Sequence, residues 1–341
     1  MLRTWIERLA RVVPGTLYRA AVRRPATGFF YHVVSDVRLP HIVNLYAYKT
    51  ARQFEDDLLY IKERYIPITY DELLAHHVKG QQLRRNSVMI SFDDGCAECY
   101  TVVRLLLNKY AIPCVFFLTT SLLDNRQMLF RHVLSLCIEQ VRIFSADQQE
   151  SAFAVLNQLF GQDIHDLTQY IRWTKSIKTE NQEMQNKICE ALNFDVSKYL
   201  QDRQPYLTSK QVEELGADGF TIGAHSRSHA KFISLTPDQI EDEIVSSCID
   251  IQQRISQNNV PFAFPFSSHG ISRRVLSQIA QRNPAVGLLF DSKGFRKDDP
   301  LIYNRIWADT PGETGEKSNL PGLIRSAYEE YFTWRMQRIF R

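Results

Sequence analysis

Ser91-Phe92-Asp93-Asp94-Gly95 closes the apolar run Val88-Met89-Ile90, and His225-Ser226-Arg227-Ser228-His229 closes the run Phe220-Thr221-Ile222-Gly223-Ala224. Short apolar runs that end in polar, turn-forming residues have the pattern of buried strands opening into loops. An α/β barrel carries its chemistry at such strand ends. Working outward, further strands are expected over Phe29 to Val34, Ser87 to Phe92, Ile112 to Leu118, Pro261 to Phe266, Val286 to Phe290 and Leu301 to Ile306. Helical patterns separate most of them, as in Phe54 to Ile61 and Val102 to Leu107. Thr236-Pro237-Asp238-Gln239 reads as a capping box with proline at the first helical position, opening a helix that carries Ile240, Ile244 and Ile251. Alternating strand and helix predict a distorted, mostly parallel (β/α) barrel of about seven strands.

The alternation stops between Ser121 and Leu207, where the chain is polar, rich in Gln and almost free of Gly. Leu134, Cys137, Ile138 and Val141, then Phe153, Leu156 and Phe160, recur at helical spacing. An all-helical insertion of several short helices is expected there, emerging from the catalytic face as a cap. The expected segments are therefore 1–27, a basic amphipathic segment; 28–120, the first half of the barrel; 121–207, the insertion; 208–310, the second half; and 311–341, a basic aromatic tail.

With 341 residues, 44% hydrophobic content and a net charge of +3, one barrel with an insertion is accommodated and a general nucleic-acid binder is disfavoured. The six cysteines, Cys96, Cys99, Cys114, Cys137, Cys189 and Cys248, are scattered and read as reduced, buried thiols of a cytoplasmic protein. Arg3, Glu7, Arg8 and Arg11 interrupt what would have to be the uncharged core of a secretory signal, and no run has the length of a membrane span. Leu2, Trp5, Ile6, Leu9 and Val13 share a helical face with arginines elsewhere, and Tyr328, Tyr331, Phe332, Trp334, Ile339 and Phe340 interleave with Arg335, Arg338 and Arg341. Two readings stand for these termini: helices packed on the barrel with a solvated basic face, or peripheral contact with the anionic inner membrane face.

A catalytic zinc typically keeps three protein ligands and an open position. Asp94, His225 and His229 supply that set, with the two histidines spaced to lie on one side of a helical turn. If Asp94 is tied to a cation, Asp93 can remain beside it as an ionised base, and Gly95 lets the chain turn. The competing readings are an ordinary strand-ending turn for Asp93-Asp94-Gly95 and exposed or core histidines for the HxxxH pair.

SFDDG and HSRSH resemble the first two motifs of the polysaccharide deacetylases, a carbohydrate esterase family that includes chitooligosaccharide and peptidoglycan deacetylases. The resemblance covers roughly residues 28–120 and 208–310. It implies removal of N-acetyl groups from amino sugars of a glycan or a lipid-linked precursor, with Asp93 as general base and Asp94, His225 and His229 as metal ligands. Two departures stand out. The family's third motif places an arginine two residues before a proline, where this chain has Ala263 in Phe262-Ala263-Phe264-Pro265-Phe266, and no histidine follows His269 to act as the late acid. His269 in Ser267-Ser268-His269-Gly270 is a candidate acid, with an exposed loop histidine as the alternative, and Arg305 in Tyr303-Asn304-Arg305-Ile306 a candidate partner that orients Asp93, with a surface salt-bridging arginine as the alternative; the identity of the acid is left open. His32 is a candidate lining residue, with a satisfied core histidine as the alternative. Phe116, Phe117, Phe264 and Phe266 form either a sugar-stacking wall or core. The function expected is a metal-dependent deacetylase; a hydrolase of small non-sugar amides and a glycan-binding pseudo-enzyme are the alternatives. The sugar, the native metal and the oligomeric state are left open.

Overall fold

The computed structural model describes residues 22, 24–178, 181–312 and 318–339, which form two compact units. The basic N-terminal pattern through Val13, with Arg19 and Arg23, lies outside the described residues, as do Phe340 and Arg341.

The first unit comprises the described residues up to Asp36, Tyr48–Leu123, and those from Tyr206 on. Its strands are β1 (Ala26–Tyr31), β2 (Ile66–Pro67), β3 (Ser87–Phe92), β4 (Cys114–Leu118), β5 (Thr221–Ala224), β6 (Val260–Ala263), β7 (Val286–Asp291) and β8 (Ile302–Trp307). Neighbours run β1-β8-β7-β6-β5-β4-β3, and β1 pairs back onto β3 from Ala26↔Ser87 to Tyr31↔Phe92, which closes a seven-stranded barrel. Two-residue β2 joins the start of β3, and all these pairings are parallel. All seven strands expected from the sequence are present. The first ends earlier than expected, at Tyr31, which leaves His32 in the following loop. β6 stops at Ala263, ahead of Pro265, which has no N–H to continue a ladder.

Alternation along the strands sorts side chains into two sets. Val88, Ile90, Phe92, Cys114, Phe116 and Leu118 belong to the large cluster shared with the surrounding helices. Met89, Val115, Phe117, Ala263, Leu288 and Phe290 form a separate interior cluster with Ile68, Tyr70 and Leu73. Tyr70 closes that interior at the end where strands begin: its hydroxyl donates to Asn259 Oδ1 (2.5 Å) and accepts from Leu288 N (3.1 Å). The chemistry is left to the opposite end.

The barrel's helices are α1 (Ala51–Arg64), α2 (Tyr70–Lys79) and α3 (Arg104–Tyr110) in its first half, and α9 (Ser209–Ala217), α10 (Pro237–Ile255), α11 (Arg273–Arg282) and α12 (Leu320–Ile339) in its second. The capping box before α10 forms as read, Thr236 Oγ1 accepting from Gln239 N and Gln239 Oε1 from Thr236 N. In α12, Leu320, Ile324, Ala327 and Tyr331 join the barrel's outer core, and Tyr328 stacks on Phe295 with centroids 4.3 Å apart. Much of the aromatic C-terminal pattern is thus packing. Among the described residues no helix is long and apolar enough to cross a membrane.

The second unit holds residues 37–47 and 124–205. Its helices are α4 (Phe130–Arg142), α5 (Ala146–Phe160), α6 (Leu167–Ser176), α7 (Gln182–Ala191) and α8 (Val196–Arg203). Val133, Leu134, Cys137, Ile138 and Val141 of α4 meet Phe153 and Leu156 of α5, Tyr170 of α6, and Ile188 and Cys189 of α7 in a core of their own. In the stretch 37–47, Leu39 and Ile42 are buried, and polar contacts join it to α4: Asn44 Nδ2 donates to Glu139 Oε1 (2.8 Å), and Ser135 Oγ donates to the Pro40 carbonyl (2.6 Å).

His41, from the same stretch, is buried against the His132 ring with Nδ1 3.1 Å from Tyr199 Oη. Burial, aided by the nearby Arg203 charge, pushes its pKa down to about 4. The folded pKa lies below the unfolded value, so the stabilisation is complete above about pH 6.5 and is lost as pH falls toward 4, amounting to about 3 kcal/mol. Hydrogen-exchange protection factors of the helical unit, corrected for the intrinsic pH dependence of amide exchange, should therefore fall across that window in the wild type, and more steeply than in His41→Phe; parallel pH slopes for the two proteins would refute the assignment.

Candidate active site

Asp93 and Asp94 leave the end of β3 side by side, and the chain diverts them at once. Asp94 and Gly95 both adopt positive φ, +73° and +85°. The glycine takes this conformation without strain, whereas Asp94 pays for it, a pattern concentrated at functional sites. The turn sends the two carboxylates to different partners.

Asp93 goes to Arg305. The guanidinium, on β8, donates from Nη1 to Asp93 Oδ1 (2.7 Å) and from Nη2 to Asp93 Oδ2 (2.8 Å), and Nη1 also donates to Ser91 Oγ (2.8 Å). Both side chains are almost wholly buried. β1 lies between β8 and β3, and Gly28 is the residue of β1 opposite Arg305. A Cβ on Gly28 would sit 2.8 Å from Arg305 Cγ, so the arginine crosses β1 only where β1 has no side chain. The rings of Phe30 and Phe117 flank the guanidinium at 4.6 and 4.9 Å. Ala263, where an arginine is absent, belongs to the same interior cluster as Phe117. Burial alone would raise the Asp93 pKa; the charge of Arg305 outweighs it and holds the carboxyl below its usual range.

Asp94 goes to the histidines. Its Oδ1 lies 3.4 Å from His225 Nε2 and 3.3 Å from His229 Nε2, and one donor atom from each of the three residues falls within 4.8 Å of the others. That oxygen is buried without a hydrogen bond. His225 Nδ1 is 2.9 Å from the Ala263 carbonyl, which fixes it as the protonated nitrogen and turns the Nε2 lone pair toward Asp94. An orphaned buried carboxylate oxygen facing two imidazole nitrogens fits a divalent cation, and the donor set suits zinc. Burial opposes ionisation of Asp94, but the His225 and His229 rings beside it hold its pKa well below the usual value.

The histidine pair does not sit on a helical turn as its spacing suggests. Residues 225–231 form an irregular loop in which Ser226 and His229 have φ of +63° and +59°. Two left-handed residues fold the loop back, and the rings meet with centroids 5.1 Å apart. Backbone bonds Thr120 N to Ser226 O (3.2 Å) and Ser121 N to Arg227 O (3.0 Å) support it from the segment after β4.

His269 is not brought to this group. It lies exposed in a turn, its backbone amide donating to Ser267 Oγ (3.1 Å), and no ring contact joins it to Asp93, Asp94, His225 or His229. The loop beyond β6 points its ring into solvent. His32 is the imidazole at the site instead. Its Nδ1 is 2.5 Å from Asp309 Oδ2, its backbone N–H donates to Asp309 Oδ1 (3.0 Å), and Trp307 Nε1 donates to Asp309 Oδ2 (2.6 Å). Burial would lower the His32 pKa, but Asp309 overrides it, with Asp94 and Asp93 adding to the field, and the value rises to about 9. Asp309 and Trp307 were not singled out from sequence. The available signal was an acidic residue just past a strand end, in Ile306-Trp307-Ala308-Asp309.

Of the four phenylalanines, Phe116, Phe117 and Phe264 are core, whereas Phe266 is half-exposed with its ring 5.0 Å from that of His229. All six thiols are free and buried; at Cys96, Cys99, Cys114 and Cys248 burial raises the pKa, which suits inert packing rather than redox work.

Over residues 170–285, the sequence matches the family model described as polysaccharide deacetylase. The match takes in HSRSH with both histidines, as the resemblance implies, and SFDDG lies ahead of it. That family comprises hydrolases acting on the C–N bond of acetylated sugars, the enzyme class expected here. Among solved structures, the chain is similar to Streptococcus pyogenes deacetylase PplD in complex with acetate, at 15% identity over 83% of this chain and 92% of that one, with a TM-score of 0.53. It is also similar to IcaB from Ammonifex degensii (14%, 90% and 97%, 0.54) and to BC0361, a polysaccharide deacetylase from Bacillus cereus (12%, 88% and 68%, 0.52). These likenesses establish a shared fold. No curated protein matches the sequence.

Removing one partner of a buried ion pair strands the other charge, a loss of about 3–5 kcal/mol. Arg305→Met should lower stability to urea by that order, and adding Asp93→Asn should recover part of it. Equal stability of wild type and Arg305→Met would mean that the pair contributes nothing to the fold.

Proposed function

We propose that this protein is a metal-dependent N-deacetylase of a glycan built from N-acetylated amino sugars. The observation that carries the reading is the division of labour between adjacent carboxylates: Asp94 Oδ1 faces two imidazole nitrogens without a hydrogen bond, while Asp93 is clamped by Arg305. A pure binding site has no need of that second, ionised carboxylate.

Asp94, His225 and His229 would hold the cation, with zinc the best match to one carboxylate and two imidazoles. When bound, such an ion supplies Lewis acidity toward the amide carbonyl and lowers the pKa of a water molecule. Asp93 is the general base. The bidentate Arg305 bond keeps it ionised and fixes its plane, so that it can accept the proton of the attacking water. His32 is the general acid: held by Asp309 and protonated at neutral pH, it can pass a proton to the leaving nitrogen as the C–N bond breaks. Two acid–base groups with pKa values pushed in opposite directions match the two proton transfers that amide hydrolysis requires. Acetate and a free amine are the products.

Acetate release should be assayed on a panel of N-acetylated oligosaccharides, soluble and lipid-linked, with zinc-reconstituted protein. Release should stop with a chelator and return with zinc, and Asp93→Asn and His32→Ala should each reduce turnover by about 10²–10⁴-fold. His269→Ala should leave it unchanged. Absence of release from every substrate by zinc-loaded wild type, or full activity of Asp93→Asn, would sink the proposal.

A further inference from the structure

Glu243, on α10, is a buried carboxylate that no cation partners among the described residues. Its acceptors are instead filled from one place. Oε2 accepts from Arg227 N (2.9 Å) and Ser228 N (2.9 Å), and Oε1 accepts from Ser228 Oγ (2.6 Å). All three donors belong to the residues between His225 and His229. A carboxylate is driven out of water here only because the loop satisfies it, and the bonds act in both directions: the loop solvates Glu243, and Glu243 anchors the loop to a 19-residue helix.

The anchored stretch is the part of the site least able to hold itself. Ser226 and His229, on either side of the two clamped amides, are both left-handed, a conformation that non-glycine residues leave unless their surroundings impose it. Ser226 Oγ accepts from His229 N (2.8 Å) and continues the same restraint. Without an acceptor for the amides of residues 227 and 228, relaxation of either left-handed residue would swing the His229 ring away from Asp94 Oδ1. We propose that Glu243 is the positioning residue of this loop, presetting His225 and His229 in the geometry that binds the cation. The inference rests on the metal reading above and deepens it, since it assigns the preorganisation of two ligands to a residue that touches neither.

Full-length protein stripped of metal should be titrated with Co(II), read by its visible ligand-field bands, and with Zn(II) by competition against a chelating dye. Glu243→Ala should weaken Co(II) affinity by about 10–100-fold and shift the bands. Glu243→Gln, which keeps an oxygen for the two amides, should bind close to wild type, a rescue that mere loss of fold stability would not show. Affinity for Glu243→Ala equal to wild type overturns the proposal, and so does a Gln variant as weak as the Ala one. If Glu243→Ala does not fold, Ser228→Ala removes one of the three bonds and should bind more weakly than wild type; unchanged affinity there is also a refutation. Failure of wild type itself to bind either ion would instead overturn the metal reading, so the two failures are distinguishable.

Discussion

The ion pair between Arg305 and Asp93 is the constraint around which the barrel and its site are arranged. Two charges taken out of water cost several kcal/mol each, and a bidentate bond repays that only with good geometry. The geometry depends on ring closure. Because β1 pairs with both β8 and β3, an arginine on β8 stands one strand away from the carboxylate that ends β3, and Gly28 opens the path between them. Phe30 and Phe117 then wall the guanidinium, and Ser91 takes a further N–H bond. The pair is thus built into the barrel interior, and its consequence is a carboxylate fixed in plane and in charge.

The rest of the site follows from giving three ionisable groups, Asp93, Asp94 and His32, different neighbours in a small space. Asp93 is neutralised by Arg305, Asp94 is turned by its left-handed backbone toward His225 and His229, and His32 is charged by Asp309. Each group meets a different neighbour, so adjacent groups reach different protonation states at one pH. Backbone strain at Asp94, Ser226 and His229 accompanies that sorting, and hydrogen bonds accepted by Ser226 Oγ and Glu243 and donated by the segment after β4 sustain it. The fold stores local strain where it needs several side chains to converge.

Much of the barrel was legible because its strands are buried on both faces and read as apolar runs ending in polar loops. The Thr236 capping box was equally plain, since its two bonds involve residues three apart. Contacts distant in sequence were harder. Arg305 follows from the arginine absent at Ala263, whereas position after a strand end cannot show which way a loop turns its ring, and that of His269 is exposed. His32 lay in the loop after β1 rather than in the strand, and Asp309, its partner, is 277 residues away in the chain. Residues 37–47 gave no sign that they pack with the helical unit, because their contacts, such as that of Asn44 with Glu139, join positions about 95 residues apart in the chain.

The sequence alone determined a closed parallel barrel and the identity of the acidic pair and the two histidines, since hydrophobic period and short motifs are local properties of the chain. Only the tertiary structure decided which groups face one another. The clamp of Arg305 on Asp93, the meeting of His32 with Asp309 and the hold of Glu243 on the histidine loop each depend on strands or loops far apart in sequence becoming neighbours. That proximity arises when β1 closes onto β3, so no residue pattern read along the chain can contain it.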